Sequence, residues 1–168
     1  MIAVRLLALL VLPALLAACG RAPVRDERVA TQPALVRGDA ERLAQSVTIG
    51  ALGLVGTPYR YGGNTPAGGF DCSGLIGHVY REGAGLALPR TVAGLAEAAG
   101  PEIPVRRMRS GDLVFFSTSR RRPDHAGIYV GEGRFVHAPS SGGTVRLDRL
   151  DAPYWRDRLQ LVRRPLGR

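Results

Sequence analysis

Phe70-Asp71-Cys72-Ser73-Gly74-Leu75-Ile76 is the stretch on which the fold of this chain turns. It predicts a helix that begins at a cysteine. Leu75, Ile76, Val79 and Tyr80 recur on one helical face at about 100° per residue, and Cys72 falls in the same sector. The helix runs to about Glu82, where Gly83 ends it. His78 points away from that face and reads as an exposed helix residue, not as a base for Cys72.

Upstream, Asp39 is a suitable N-cap for a first helix, with Ala40, Leu43, Ala44, Val47, Ala51, Leu54 and Val55 at helical spacing. Gly56-Thr57-Pro58 closes it. Residues 59–70, rich in glycine, read as an irregular loop. A short third helix is expected over 92–99. From Asp112 the period falls to two, and residues 113–117, 126–130, 134–138, 144–147 and 159–163 read as strands. Helices followed by an antiparallel meander predict an α+β domain over 39–168, with the helices packed on the sheet.

The N-terminus has a different character. Residues 1–18 carry one charge, Arg5, then an apolar run, then Ala17-Ala18 before Cys19. The run has the length of a signal-peptide core and is too short for a membrane span. Leu16-Ala17-Ala18-Cys19 resembles the lipobox of bacterial lipoproteins, in which the leader is cut before a cysteine that becomes acylated. Gly20 stands where an aspartate would resemble an inner-membrane retention signal. The expectation is therefore an exported protein, anchored by lipid on Cys19 to the outer membrane and facing the periplasm. The alternative is an ordinary secretion signal with Cys19 incidental. Residues 19–38, mixed in Pro, Arg, Asp and Glu, read as a flexible tether.

The basic side of the charge balance is all arginine, with no lysine, for a formal net charge of +9. Export argues against nucleic acid, leaving anionic wall or lipid headgroups as partners for this charge. Arg120-Arg121-Arg122 reads as a solvated inter-strand loop, a substrate role being the alternative. Nothing in the sequence requires more than a monomer.

A cysteine attacks as its thiolate, and a helix N-terminus is expected to lower the thiol pKa through unpaired N–H groups and the helix dipole. The same donors can meet an oxyanion. His125 and His137 lie on consecutive strands around the turn signal Gly131-Glu132-Gly133. With an odd hairpin loop, position 137 pairs opposite 125 or 127 and both imidazoles share a face; an even loop would separate them. The odd loop is predicted, with His125 as base and His137 orienting it. Three alternatives stand: Cys72 as a packing residue, a zinc site of Cys72, His125, His137 and water, and a Cys19–Cys72 disulfide.

Six ordered motifs carry a family resemblance: Gly56-Thr57-Pro58-Tyr59-Arg60-Tyr61-Gly62-Gly63, Phe70-Asp71-Cys72-Ser73-Gly74-Leu75, Leu88-Pro89-Arg90-Thr91, Ser110-Gly111-Asp112-Leu113-Val114-Phe115-Phe116, His125-Ala126-Gly127-Ile128-Tyr129 and Phe135-Val136-His137-Ala138-Pro139. Together they resemble the NlpC-type cell-wall peptidases, papain-like cysteine hydrolases of bacterial murein. The resemblance implies a papain-like fold, with Cys72 as nucleophile, His125 as general base and His137 as its orienting partner. It further implies that Tyr59 polarises the attacked carbonyl, and that Asp71 and Ser73 hold the amino end of a peptidoglycan stem peptide. The implied reaction is cleavage of the D-glutamyl γ-bond to a diamino acid, often meso-diaminopimelate, through an acyl-enzyme and without metal or organic cofactor. Leu95 departs from the pattern, standing where the family usually has glutamine. Rival readings are a same-fold amidase or acyltransferase and a non-catalytic murein-binding lipoprotein.

Overall fold

The computed structural model describes residues 28–119, 122–141 and 143–167; the leader, Cys19 and the first two arginines of the triplet lie outside them. The first helix, α1, spans Arg28–Gly53. It therefore starts well before Asp39 and takes in the second half of the segment expected to be a flexible tether. Ala30, Gln32, Ala34, Leu35 and Arg37 favour the helix, which here runs through Pro33 in its second turn.

Residues 59–70, expected to be irregular, contain a two-stranded ribbon of β1 (Asn64–Thr65) and β2 (Gly69–Phe70). Its strands are too short for any periodic signal. The ribbon leads directly into α2, Cys72–Ala84. Asp71 caps that helix by accepting the Gly74 N–H at 2.7 Å, and Gly85, in the left-handed region at φ 62°, closes it two residues beyond Gly83. Helix α3 covers Val92–Ala98, capped by Thr91. Leu95, the departure from the family pattern, is fully buried in the core and does not line the groove described below.

The sheet is antiparallel throughout, in the order β6–β5–β4–β3–β7: β3 is Leu113–Phe116, β4 His125–Gly131, β5 Arg134–His137, β6 Arg146–Arg149 and β7 Leu159–Arg163. The strand expected over 144–147 is displaced, with Thr144 instead forming an isolated bridge to Pro58. Alternation divides the two faces of the sheet. Leu113, Phe115, Ala126, Ile128 and Val136 pack with Val47, Leu75, Ile76, Val79 and Tyr80 of α1 and α2. On the other face Val114, Phe116, Phe135 and Val162 pack with Trp155, from the short helix α4 (Pro153–Arg156). The fold is the expected α+β arrangement of N-terminal helices on a central antiparallel sheet, with Cys72 at a helix N-terminus. Among the described residues no helix is long and apolar enough to cross a membrane.

The β4–β5 hairpin reaches the predicted pairing by another route. Its turn is not the three residues Gly131-Glu132-Gly133: Gly131 pairs with Arg134, leaving Glu132 (φ 52°) and Gly133 (φ 69°) as a tight turn with both residues at positive φ. Such an even turn alone would place the histidines on opposite faces. A bulge between Tyr129 and Gly131 inserts Val130 as an unmatched residue, so that Ile128 faces Val136. Extending that register puts His137 opposite Gly127. A Cβ on Gly127 would stand 2.7 Å from Phe135 Cδ2 and 3.2 Å from His137 Cβ, so the pairing leaves room only for glycine.

Candidate active site

Cys72 carries a free thiol at the head of α2. Its sulfur is approached by the backbone N–H of Ala126, immediately after His125, and by those of Ser73 and Cys72 itself. Leu75 N–H is paired to the Asp71 carbonyl and Gly74 N–H to its carboxylate, so the Cys72 and Ser73 amides remain the donors directed at the reacting position. Burial pushes the thiol above its ordinary pKa, and the neighbouring Asp71 carboxylate pushes the same way; the three amides pull back only in part. This corrects the expectation of a lowered thiol. A helix N-terminus favours an anion, but here desolvation and an adjacent carboxylate outweigh it.

His125 Nε2 lies 2.8 Å from His137 Nδ1, the two rings meeting edge to face. The sequence expectation that they share a face is met, and the face is the one opposite the large helices. There Phe116, Phe135 and Trp155 enclose them, with Trp155 stacked on His125 at 5.5 Å between centroids. Burial lowers the pKa of His125 to about 3 and that of His137 to about 4; His137 also disfavours a charge on His125. At neutral pH the thiol of Cys72 and the imidazole of His125 are thus both uncharged. Both nitrogens of His137 are engaged, Nδ1 by His125 and Nε2 by Asp148 Oδ2 at 3.0 Å, which fixes the ring and leaves neither nitrogen open to a metal.

An open groove of about 580 Å³ joins Cys72 and His125 and is bounded by Tyr59, Asp71, Ser73, Arg90 and Trp155. Tyr59 keeps its proton, because burial, then the nearby Cys72 and Asp71, raise its pKa; its hydroxyl is available as a donor. Asp71 is held by several donors within the chain. Arg90 grips both its oxygens, at 2.8 and 3.1 Å, while Gly62 N–H, Gly74 N–H and the Ser73 hydroxyl also donate to it. Burial opposes its charge, but these bonds hold its carboxyl below the usual range. Ser73 in turn accepts from Arg90 at 2.7 Å.

Arg90 stands in the sequence only as part of the Leu88-Pro89-Arg90-Thr91 motif, and Asp148 and Trp155 carry no local signal there. Asp148 becomes visible only through the β5–β6 register, which pairs Phe135 with Asp148 and His137 with Arg146. His78, expected to be exposed, is half-buried with its ring 5.2 Å from Phe70, and it lies outside the groove. Arg122 is exposed and borders a second hollow that shares Thr118, Asp124 and Ser140 with the groove. Among the described residues no cluster of His, Cys, Asp and Glu could hold a metal ion.

Comparison with known proteins gives a consistent set. The profile of the family described as NlpC/P60 matches residues 56–164. The chain is 41% identical over 107 residues to the murein DD-endopeptidase MepH of Escherichia coli K12, covering 60% of this chain and 38% of MepH. It is 41% identical over 116 residues to murein DD-endopeptidase MepS/murein LD-carboxypeptidase of the same organism, covering 67% and 58%. It is 40% identical over 111 residues to the gamma-DL-glutamyl hydrolase of Bacillus subtilis, covering 66% and 26%. The chain thus spans less than two thirds of the length of each of these relatives. Among solved structures, a Staphylococcus aureus protein of the NLP/P60 family, similar to lipoprotein, superposes with a TM-score of 0.66 at 36% identity, covering 75% of this chain and 42% of that one. The NlpC/p60 domain of the peptidoglycan hydrolase SagA gives 0.60 at 32%, covering 71% and 96%.

Proposed function

The chain belongs to the NlpC/P60 family, and from that premise we propose that it is a cysteine-dependent peptidoglycan hydrolase that cuts stem peptides through an acyl-enzyme. The observation that carries this reading is that Cys72 and His125 line one groove, with His137 buried behind it and 2.8 Å from His125. Cys72 is the nucleophile. Because thiol and imidazole are both neutral at rest, His125 takes the thiol proton as the sulfur attacks the carbonyl carbon and returns it to the departing amine. The Cys72 and Ser73 amides and the Tyr59 hydroxyl receive the oxyanion, one such donor being worth about 3 kcal/mol. Water, activated by the same imidazole, then releases the acyl group and frees the thiol. The groove's open ends suit an extended peptide, and no metal or organic cofactor enters the scheme.

The bond cut is proposed as D-γ-glutamyl to diamino acid, as in the relative named a gamma-DL-glutamyl hydrolase. A second reading, the D,D cross-bridge, is favoured by MepH and MepS, which are named DD-endopeptidases. It is also favoured by Asp71, whose carboxylate is already taken up by Arg90 and does not stand free for a peptide amine. Lipid attachment through Cys19, with an outer-membrane position facing the periplasm, belongs to the same proposal; there the arginine-rich surface would lie near anionic wall polymer.

Digestion of diaminopimelate-type murein by the protein and by its Cys72→Ala variant, read by mass spectrometry, tests the scheme. Fragments ending in D-glutamate support the first bond and uncoupled D-alanine ends the second. Equal products from both proteins would remove Cys72 from the reaction.

A further inference from the structure

Asp148 has no part in the scheme above, yet its Oδ2 oxygen is where three side chains converge. His137 Nε2 lies 3.0 Å away, Trp155 Nε1 2.8 Å and Arg146 Nε 3.1 Å. Indole and guanidinium nitrogens only donate, and an ionised carboxylate only accepts. The contact from His137 is therefore a donation as well, and the proton of this buried, neutral imidazole sits on Nε2. Its lone pair is then on Nδ1, which faces His125 Nε2 at 2.8 Å. His125 must donate from Nε2, and its own lone pair is left on Nδ1, the nitrogen free to accept the Cys72 proton. Reversing the first step reverses all of them: a proton on His137 Nδ1 would place one on His125 Nδ1 and close that nitrogen to the thiol.

We propose that Asp148, held in place by Trp155 and Arg146, is a positioning residue that sets the tautomers of both histidines and makes His125 Nδ1 the proton acceptor. The inference rests on the reading of Cys72 as nucleophile with His125 as its base. When His125 carries two protons, its Nε2–H still donates to His137 and His137 still donates to Asp148, so the new positive charge is tied to a carboxylate through two hydrogen bonds. The proton does not travel to Asp148. The carboxylate acts by fixing which nitrogen bears a hydrogen and by opposing the imidazolium charge.

The test needs no murein, so a wrong substrate would leave it intact. In full-length protein labelled with nitrogen-15 at histidine, the ring shifts should show His137 protonated at Nε2 and bare at Nδ1. Iodoacetamide alkylation of Cys72 at pH 7 reports thiolate formation assisted by His125. Asp148→Leu should leave His137 in mixed or reversed tautomers and slow alkylation about tenfold or more, with the thiol still exposed to the reagent. Asp148→Asn keeps an oxygen for all three donors but loses the charge; it should retain the tautomer and slow alkylation by a smaller factor. A wild-type His137 protonated at Nδ1 would overturn the proposal without any variant. So would an Asp148→Leu protein with unchanged tautomers and alkylation. Should Asp148→Leu not fold, an Asp148→Asn protein alkylated as fast as the wild type would do the same.

Discussion

The carbonyl oxygen of Gly63 occupies the place where position 74 would carry a side chain: a Cβ on Gly74 would stand 2.0 Å from it. The first turn of α2 is thus pressed directly against the backbone of the preceding loop, which in turn donates Gly62 N–H to the capping Asp71. Cys72 is located by backbone contact on both sides of its helix end, with little freedom to adjust.

Gly74→Ala forces that contact open. Overpacking of this kind costs about 1–3 kcal/mol, and the shift is transmitted straight to Cys72. Melting temperature should fall and Cys72 alkylation in the folded protein should change. A variant identical to wild type in both would show that the loop can move aside at no cost.

The two buried histidines make the fold sensitive to acid. An unfolded histidine binds its proton near pH 6.5, whereas His125 and His137 resist it until about 3 and about 4. Between those limits the unfolded chain holds more protons, so stability falls as pH falls. At pH 5 the loss is on the order of 2 kcal/mol per histidine relative to pH 7.5. Urea unfolding at the two pH values measures it. His137→Gln should flatten the dependence, and an equally steep profile in that variant would assign the acid sensitivity to other groups.

Asp71 and Arg90 should act on the thiol in opposite directions. Asp71 raises the Cys72 pKa, and Arg90 neutralises Asp71 at 2.8 Å. Arg90→Ala should raise the thiol pKa further and slow alkylation at pH 7. Asp71→Asn, which can still cap α2, should lower the pKa and speed it. Thiol titration of both variants decides; shifts of the same sign would show that helix displacement, and not charge, dominates.

Trp155 packs between the imidazoles and Tyr154 while its indole N–H donates to Asp148. Trp155→Phe preserves most of the apolar packing but removes the donor. A lost hydrogen bond to a charged group should cost about 1.5–3 kcal/mol, and turnover should fall while KM stays close to wild type. A rise in KM with turnover intact would instead place Trp155 mainly against the substrate.

The elements with a long period were legible in the sequence, and those set by tertiary contact were not. Leu75, Ile76, Val79 and Tyr80 announced α2, and the alternation through β3, β4 and β7 announced the sheet. The shared face of His125 and His137 was within reach of their spacing, although the turn is even and a bulge, not an odd loop, restores the parity. Asp148 needs the register of a fourth strand, Trp155 needs the position of a one-turn helix, and the raised thiol pKa of Cys72 needs the burial of a helix end. None of these has a periodic signature. The early start of α1 was hidden because mixed polarity and helix propensity pointed opposite ways over the same residues.

The unmatched Val130 gives the β4–β5 connection a rule of parity. One residue removed from or added to this hairpin would turn His137 to the other side of the sheet, into the layer occupied by α1 and α2, and away from His125. Two residues together would leave the pair intact. With the bulge kept, a segment grafted between Gly131 and Arg134 must therefore add residues in even number, and an odd addition must bring or remove a bulge of its own.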